Sequence, residues 1–386
     1  MPTITSFPHF FAKTPIQTVQ QIQKITEYLK DHYHGKCYVV GGAVRDRLLG
    51  RECQDYDIEC FGVSPQIFEK AMHELGAQGV GKSFFVYKLG GVDISLPRSE
   101  KKIGVGHRGF EVMLASDEKE ASRRRDFTIN ALMYDIENKQ ILDFWNGLKH
   151  LDQKILAVVD EKTFSDDSLR VLRAMQFASR LGFKVEKKSC RLCQNISLHD
   201  LSKERVFLEF EKMFKSPFLH YGLYYFSALG IAEKLLNIKI DRKDFFTLSR
   251  ELTRAEDVFV EELRPYYFLF IAKKYLRLSP EILVEKLGLP KIYLKKVGQP
   301  SLPSQEQIDN RLILHLALKE GIICYLGNYD PKVVSFAKKL GVWDTPFKPN
   351  VTANVLMAEG FSGKALGEEL GKRIEKEIDS LVQKGV

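Results

Sequence analysis

Apolar residues recur at helical spacing across residues 15–33, PIQTVQQIQKITEYLKDHY, and predict an amphipathic helix. From 36 to about 145 the period changes. Short runs rich in β-branched and aromatic residues follow one another: CYVV, YDIECF, SFFVYKL, VDISL, FEVML, LMYDI and QILDF. Gly, Asp and Asn turns separate them, and a single helical run, SPQIFEKAMHEL, interrupts them, so this stretch predicts a compact α/β sheet domain. Beyond DFWNGLKHLDQKIL the strand signal fades. Residues 165–325 read as successive amphipathic helices with breaks such as LGLPK and QPSLPSQ. DTPFKPNVT has the composition of a linker and leads into a last helical segment, SGKALGEELGKRIEKEIDSLVQKG. No internal repeat is present.

With 386 residues the chain can form two to four domains with sizeable cores. Its 58 Lys and Arg against 50 Asp and Glu give a formal charge of +8, compatible with a nucleic-acid partner without requiring one. No apolar run approaches a membrane span, and MPTITSFPHFFAKTP lacks the layout of a signal peptide, so the expected location is the cytoplasm. The six cysteines are scattered, as reduced thiols are. Cys190 and Cys193 make one C-x-x-C without a second pair, and read as helix residues, not zinc ligands.

Candidate chemistry begins at Asp55-Tyr56-Asp57-Ile58-Glu59. On a strand, residues two apart share a face, so the three acids line one side while Tyr56 and Ile58 line the other. Asp55 and Asp57 would lie about 6 to 7 Å apart at Cα, close enough for both carboxylates to meet one hard cation. A lone D-x-D is more often a solvated strand edge. The neighbouring residues change that balance. Gly41-Gly42 stands where a strand hands over to a helix, a place where backbone N–H groups can hold phosphate. Asp93, in GGVDISL, can add a carboxylate from another strand. Arg123, Arg124 and Arg125 precede Asp126 and are suited to polyphosphate, and something positive is expected between acids that repel. Together these parts describe a nucleotidyl transferase site.

In DDSLRVLRAMQFASR, Val171, Leu172, Met175 and Ala178 form an apolar stripe, and Arg170, Arg173, Gln176 and Arg180 a polar one. Taken alone, that pattern describes a helix with a wet basic face.

The ordered series GGAVRDRLLG, DYDIE, RRDFTINAL, ILDFWNGLKHLDQKIL, DDSLRVLRAMQFASRLGF and SKERVFLEFEKMF resembles the motif series of the class II tRNA nucleotidyltransferases. These enzymes of the polymerase-β superfamily add the CCA end to tRNA and share their head with bacterial poly(A) polymerases. The resemblance runs from 38 to about 215 and resumes in FKPNVTANVLMAEGFSGKALGEELGKRIEKEI, with 216–330 weakest. It implies an α+β fold: a polymerase-β-like nucleotidyltransferase head, a mixed sheet with flanking helices, followed by an elongated all-α neck, body and tail. The expected divisions are 1–145 for the head, 146–215 for a neck carrying the base-template helix, 216–330 for the body and 331–386 for a tRNA-binding tail.

Carried over by residue, the resemblance assigns Asp55 and Asp57 to Mg2+; Asp93 reads as the better third acid of the catalytic set, and Glu59, outside the family's pair, as structural or as a support behind the metal ligands. It places Gly41, Gly42 and Arg45 near the incoming nucleotide. Arg124, Arg125 and Asp126 fall at its phosphates and ribose, and Asn130 supports that pocket. Asp167 and Arg170 would read the Watson–Crick edge of the base, a carboxylate accepting and a guanidinium donating, with Arg173 in support. Two positions depart from the family pattern: Asp166 stands where a Glu is usual, and Gln176 where relatives can carry Arg. Arg205, Glu209 and Lys212 match a helix-stabilising motif. The implied activity is template-independent addition of CCA to tRNA from CTP and ATP with release of pyrophosphate, without a membrane partner; the oligomeric state is left open.

Residues 96–122, LPRSEKKIGVGHRGFEVMLASDEKEAS, read as a mobile loop. The resemblance ties such a loop to the switch from C to A. A poly(A) polymerase, or an enzyme adding only CC or A, shares the head motifs. The poly(A) polymerases typically carry an Arg-rich element where this chain has VGKSFFVYKLGG. A binding-only protein would be expected to lose Asp55 or Asp57. A phosphohydrolase would need clustered His and Asp, whereas LHD at 198–200 is isolated. In the helical half, Lys273, Lys274, Arg277, Lys295 and Lys296 are mostly core-flanking and solvated positions, with contact to tRNA phosphates as the lesser reading.

Overall fold

The computed structural model describes residues 1–80, 86–102, 110–257 and 260–383. The chain divides into two compact units, one of Met1–Ser202 with Ala228–Gly230, the other of Lys203–Ser227 and Ile231–Val386.

The first unit is built on a mixed sheet of eight strands among the described residues. In chain order they are β1 (Thr3–Ser6), β2 (Lys36–Val40), β3 (Tyr56–Phe61), β4 (Gln78–Gly79), β5 (Val86–Leu89), β6 (Val92–Ser95), then β9 (Met133–Asp135) and β10 (Gln140–Asp143), with a separate hairpin of β7 (Arg98–Lys102) and β8 (Phe110–Leu114) between them. The spatial order is β1-β10-β9-β2-β3-β6-β5-β4, and β3 with β6 is its parallel pair. Every predicted strand is present within the described residues; of SFFVYKL the described part is β5, and residues 81–85 lie outside them.

Helices α1 (Ile16–Tyr33), α2 (Gly42–Leu48) and α3 (Pro65–Glu74) follow the strands they precede or succeed. Ile22, Ile25 and Leu29 of α1 and Phe68, Ala71 and Met72 of α3 bury against Val39, Tyr56, Ile58, Cys60 and Ile94 on one face of the sheet. The other face carries a smaller cluster, Tyr38, Val40, Phe61, Ala121 and Met133. Because strand side chains alternate, β3 contributes Tyr56, Ile58 and Cys60 to the first core and turns Asp57 and Glu59 to the opposite side.

The loop expected within residues 96–122 has its centre outside the described residues. On either side of that centre the chain pairs as the antiparallel β7–β8 hairpin, in which FEVML is β8, and goes on into α4 (Glu118–Arg123), capped by Asp117, whose carboxylate accepts from Glu120 N. Residues 103–109 lie outside the described residues. After β10, the buried Asp143 accepts backbone N–H bonds from Trp145, Gly147 and Leu148 and so starts α5 (Gly147–Asp152). A Cβ at Gly147 would lie 2.4 Å from the Thr128 carbonyl, and the close approach braces the 3-10 turn Thr128–Asn130 that ends in the site. Beyond α6 (Glu161–Phe164), α7 (Leu169–Leu181) buries Val171, Leu172, Met175 and Ala178 as predicted. Gln176 is buried too, against the expectation of a polar face, and that face is therefore narrower than the spacing indicated. Cys190 and Cys193 sit in the helix Lys187–Asn195, and all six cysteines are free thiols.

Among its described residues the second unit holds helices and no strand. Its centre is aromatic, with Phe210 against Phe226 at 5.9 Å and Phe214 against Phe268 at 5.5 Å between ring centroids. Glu209 is buried and pairs with Lys212 at 2.7 Å, in keeping with a buttressing motif. The ammonium groups of Lys273 and Lys274 donate to carbonyls of Val297 and Gln299 and of Leu302, and so tie their helix to a later stretch of the chain. The last helix, Gly363–Gln383, is tied down by Arg311, which reaches Glu375 and Asp379 at 2.6 Å each. Among the described residues no helix is long and apolar enough to cross a membrane.

Candidate active site

Register sets the acids. Asp57 lies beside Val40 on β2 and beside Asp93 on β6, so two carboxylates from parallel neighbours flank each other on the cleft side. Asp93 is also 3.1 Å from Lys88 on β5. Asp55 is one residue short of β3, near enough for its charge to act on Asp57. Asp57 is exposed along the cleft. Desolvation still pushes its carboxyl above the ordinary aspartate range; Arg125 opposes that shift, while Asp93, Glu59 and Asp55 add to it. This crowding of negative charge is what a bound cation relieves.

Two residues on, Glu59 faces the same way but is almost fully buried, and one of its oxygens accepts from both Arg124 Nη2 and Arg125 Nη2 at 2.9 Å. The positive charge expected among the acids is this arginine pair. Gly41 closes the arrangement. Its φ is +74°, and a Cβ there would lie 2.9 Å from Arg125 Nη1 and 3.5 Å from Asp57 Oδ2, so only glycine fits the strand-to-helix turn.

Arg45 is buried on α2 and fully engaged. It holds Asp46 bidentately at 2.8–2.9 Å and donates to Asn130 Oδ1 at 2.5 Å. Asn130 in turn donates to Asp126 Oδ1 at 2.9 Å, and Arg173 Nε reaches Asp126 Oδ2 at 2.7 Å. Burial alone would raise the Asp126 carboxyl, yet Arg173, the Asn130 hydrogen bond and Arg170 outweigh it and hold it below the usual range. Phe177 packs under both cations, its centroid 5.1 Å from the guanidinium carbons of Arg45 and of Arg173.

Arg170 donates from Nη1 to the Thr163 carbonyl at 2.7 Å and from Nη2 to the Arg124 carbonyl at 2.6 Å. The base-reading candidate is therefore anchored to the peptide that carries one phosphate-binding candidate. Asp167 accepts from Leu169 N at 3.2 Å.

These side chains surround a cleft of about 510 Å³. Of the residues expected from sequence, Gly41, Gly42, Arg45, Asp57, Arg124, Arg125, Asp126, Asn130, Asp167, Arg170 and Arg173 line it; Asp55 and Asp93 do not. Sequence reading missed Arg98, Phe177 and Arg180 as lining, and Asp46, which also meets Arg180 at 3.3 Å. Phe177 had a signal, since it follows Arg173 by four residues on one helix face. Arg98 had none. Seven arginines against three aspartates make the lining cationic and suited to a polyphosphate.

Among the described residues, no group of three or more His, Cys, Asp or Glu side chains forms a preassembled metal cluster. The donors present, Asp55 and Asp57 with Asp93 alongside Asp57, are hard carboxylates. They fit a hard divalent cation whose remaining ligands come from water and substrate phosphate.

Residues 37–157 match the Poly A polymerase head domain. A CCA-adding enzyme from Buchnera aphidicola subsp. Cinara cedri is 42% identical over 188 residues, 46% of this chain and 44% of that one. A multifunctional CCA protein from Pasteurella multocida is 40% identical over 194 residues, 47% of this chain and 44% of that one. The chain thus spans under half the length of these relatives. The structure of the Thermotoga maritima CCA-adding enzyme complexed with tRNA superposes with a TM-score of 0.70 at 21% identity, over 98% of this chain and 96% of that one. Residues 37–157 therefore match the Poly A polymerase head domain, and the chain that carries them has the fold seen in the CCA-adding enzymes.

Proposed function

We propose that this chain adds the CCA end to tRNA without a nucleic-acid template, using CTP and ATP and releasing pyrophosphate. The observation that supports this most strongly is the single cleft in which Asp57, the Arg124/Arg125 pair, and Asp167 with Arg170 meet. In this reading Asp55 and Asp57 hold Mg2+, which when bound lowers the pKa of the attacking 3′-hydroxyl and neutralises the leaving pyrophosphate. Arg124 and Arg125 bind the triphosphate as planar forks, and Gly41 lets the chain come close beside them. Arg45, Asn130, Asp126 and Arg173 keep the floor of the cleft rigid.

Asp167 and Arg170 read the base. Arg170 must leave its two carbonyl partners to do so, and an incoming base edge replaces them with equivalent acceptors. The Arg170→Ala variant is expected to accept UTP and GTP with CTP and ATP disfavoured by roughly tenfold relative to the parent chain, the size of one lost bidentate contact. Single-nucleotide incorporation with each triphosphate measures it, and unchanged selectivity would remove Arg170 from this role.

The divisions 1–145, 146–215, 216–330 and 331–386 are part of the same reading, with the last segment at the tRNA. The deciding experiment is incorporation into tRNA lacking its CCA end, with CTP alone, ATP alone and both, resolved by length. Two additions with CTP and one more with ATP support the proposal. A stop at CC or at a single A makes the chain a partial enzyme, a long A-tail makes it a poly(A) polymerase, and no incorporation overturns it.

A further inference from the structure

Glu59 stands between two competing demands. It is 2% exposed, it shares the cleft side of β3 with Asp57, and a single oxygen, Oε1, takes a hydrogen bond from each of two guanidinium groups. Its other oxygen and Arg125 Nε are buried without a hydrogen-bond partner. The network is therefore not optimised for its own stability, since a buried carboxylate usually uses both oxygens.

What it does achieve is direction. Asp57 and Glu59 are successive residues on one strand face, about 6 to 7 Å apart at Cα. Arg125 Nη1 and Asp57 Oδ2 both lie close around the spot where a Gly41 Cβ would stand. Asp57 is thus the next carboxylate within reach of Arg125, and an arginine closing on it would fill the lone pairs a cation needs.

We propose that Glu59 is a positioning residue: by holding Arg124 and Arg125 on one oxygen it keeps Arg125 off Asp57, which leaves Asp57 open to a divalent cation and aligns both guanidiniums for the triphosphate. The inference rests on the proposed function in taking Asp57 as a cation ligand. It assigns Glu59 a task that neither a metal ligand nor a purely structural acid performs.

The test is a double-mutant cycle read by direct binding of Mn2+ to the full chain, followed by electron paramagnetic resonance of free Mn2+ without tRNA or nucleotide. Glu59→Gln is expected to weaken Mn2+ binding about tenfold, within the usual range for coupled neighbours. Adding Arg125→Gln is expected to restore Mn2+ affinity to within about twofold of Arg125→Gln alone, because the competing cation is gone. The KM for CTP rises in both Arg125 variants and is not rescued. Glu59→Asp keeps the charge but shortens the reach, and serves if Glu59→Gln does not fold; a loss of about threefold is expected there. Unchanged Mn2+ binding in the folded Glu59 variants, or a double variant as weak as Glu59→Gln, overturns the proposal, as does a parent chain that binds no Mn2+. Because no turnover is needed, a parent that binds Mn2+ but incorporates nothing defeats the proposed function and leaves this comparison decisive.

Discussion

If Asp57 holds the cation as proposed, Asp57→Ala is expected to reduce incorporation by roughly a thousandfold or more, the several kcal/mol that a lost metal ligand removes from transition-state stabilisation. Retention of tRNA on filters should stay near the parent value, because the proposed reading gives this acid a part in the chemistry and not in the grip on RNA. The same position makes a second, opposite expectation. In the folded chain the Asp57 carboxyl is raised, chiefly by desolvation and further by Asp93, Glu59 and Asp55. The ionised form therefore favours the unfolded state at neutral pH, and lowering the pH through the raised folded value removes that cost. Asp57→Asn should accordingly melt at a higher temperature than the parent at pH 7, with the gain shrinking as pH falls into the carboxylate range. Calorimetry across that range checks it. A variant that is inactive and also less stable at pH 7 would contradict the account of the site as a stored electrostatic strain.

Arg45→Ala should be the most damaging single change to folding among the cleft residues. It strips Asp46 of its bidentate partner, leaves the buried Asn130 carbonyl without its donor and removes one cation from Phe177. Breaking one side of a buried pair costs about 3 to 5 kcal/mol, and for a unit of this size that corresponds to a melting point lower by about 10 °C. Arg45→Lys is expected to recover little, since one ammonium cannot fork to Asp46 and also reach Asn130. Urea unfolding of the two variants measures both statements. Near-parent stability in Arg45→Ala would mean that Arg180, already 3.3 Å from Asp46, takes over the pairing.

The strands were legible because their period of two is short and their turns are marked, and the candidate acids followed from that period. Glu59 was separable from Asp57 only in outline. Alternation sets both on one face, but nothing local says that one ends among arginines drawn from a loop sixty residues away. Gln176 was misread for the converse reason. Helical spacing assigns it to the polar stripe, while the packing of the rest of the unit decides how wide that stripe is, and here it closes over Gln176. Lys273 and Lys274 look like a basic patch in any window of sequence, yet their ammonium groups are claimed by carbonyls more than twenty residues along the chain. In the stretch 96–122, Gly and Lys content suggested a loop. The hairpin within it is held by pairing between two short strands, which weak local propensity does not forbid.

The alternation of β3 has a consequence for how this chemistry can change over time. Tyr56, Ile58 and Cys60 are locked into the apolar core, and Asp57 and Glu59 are in antiphase with them. Insertion or deletion of a single residue between Asp57 and Glu59 would turn one of the two carboxylates to the apolar face and an apolar side chain to the cleft. Change on this strand is therefore confined to replacements in place. Variation in length has to be found in the segments that lead to and from it.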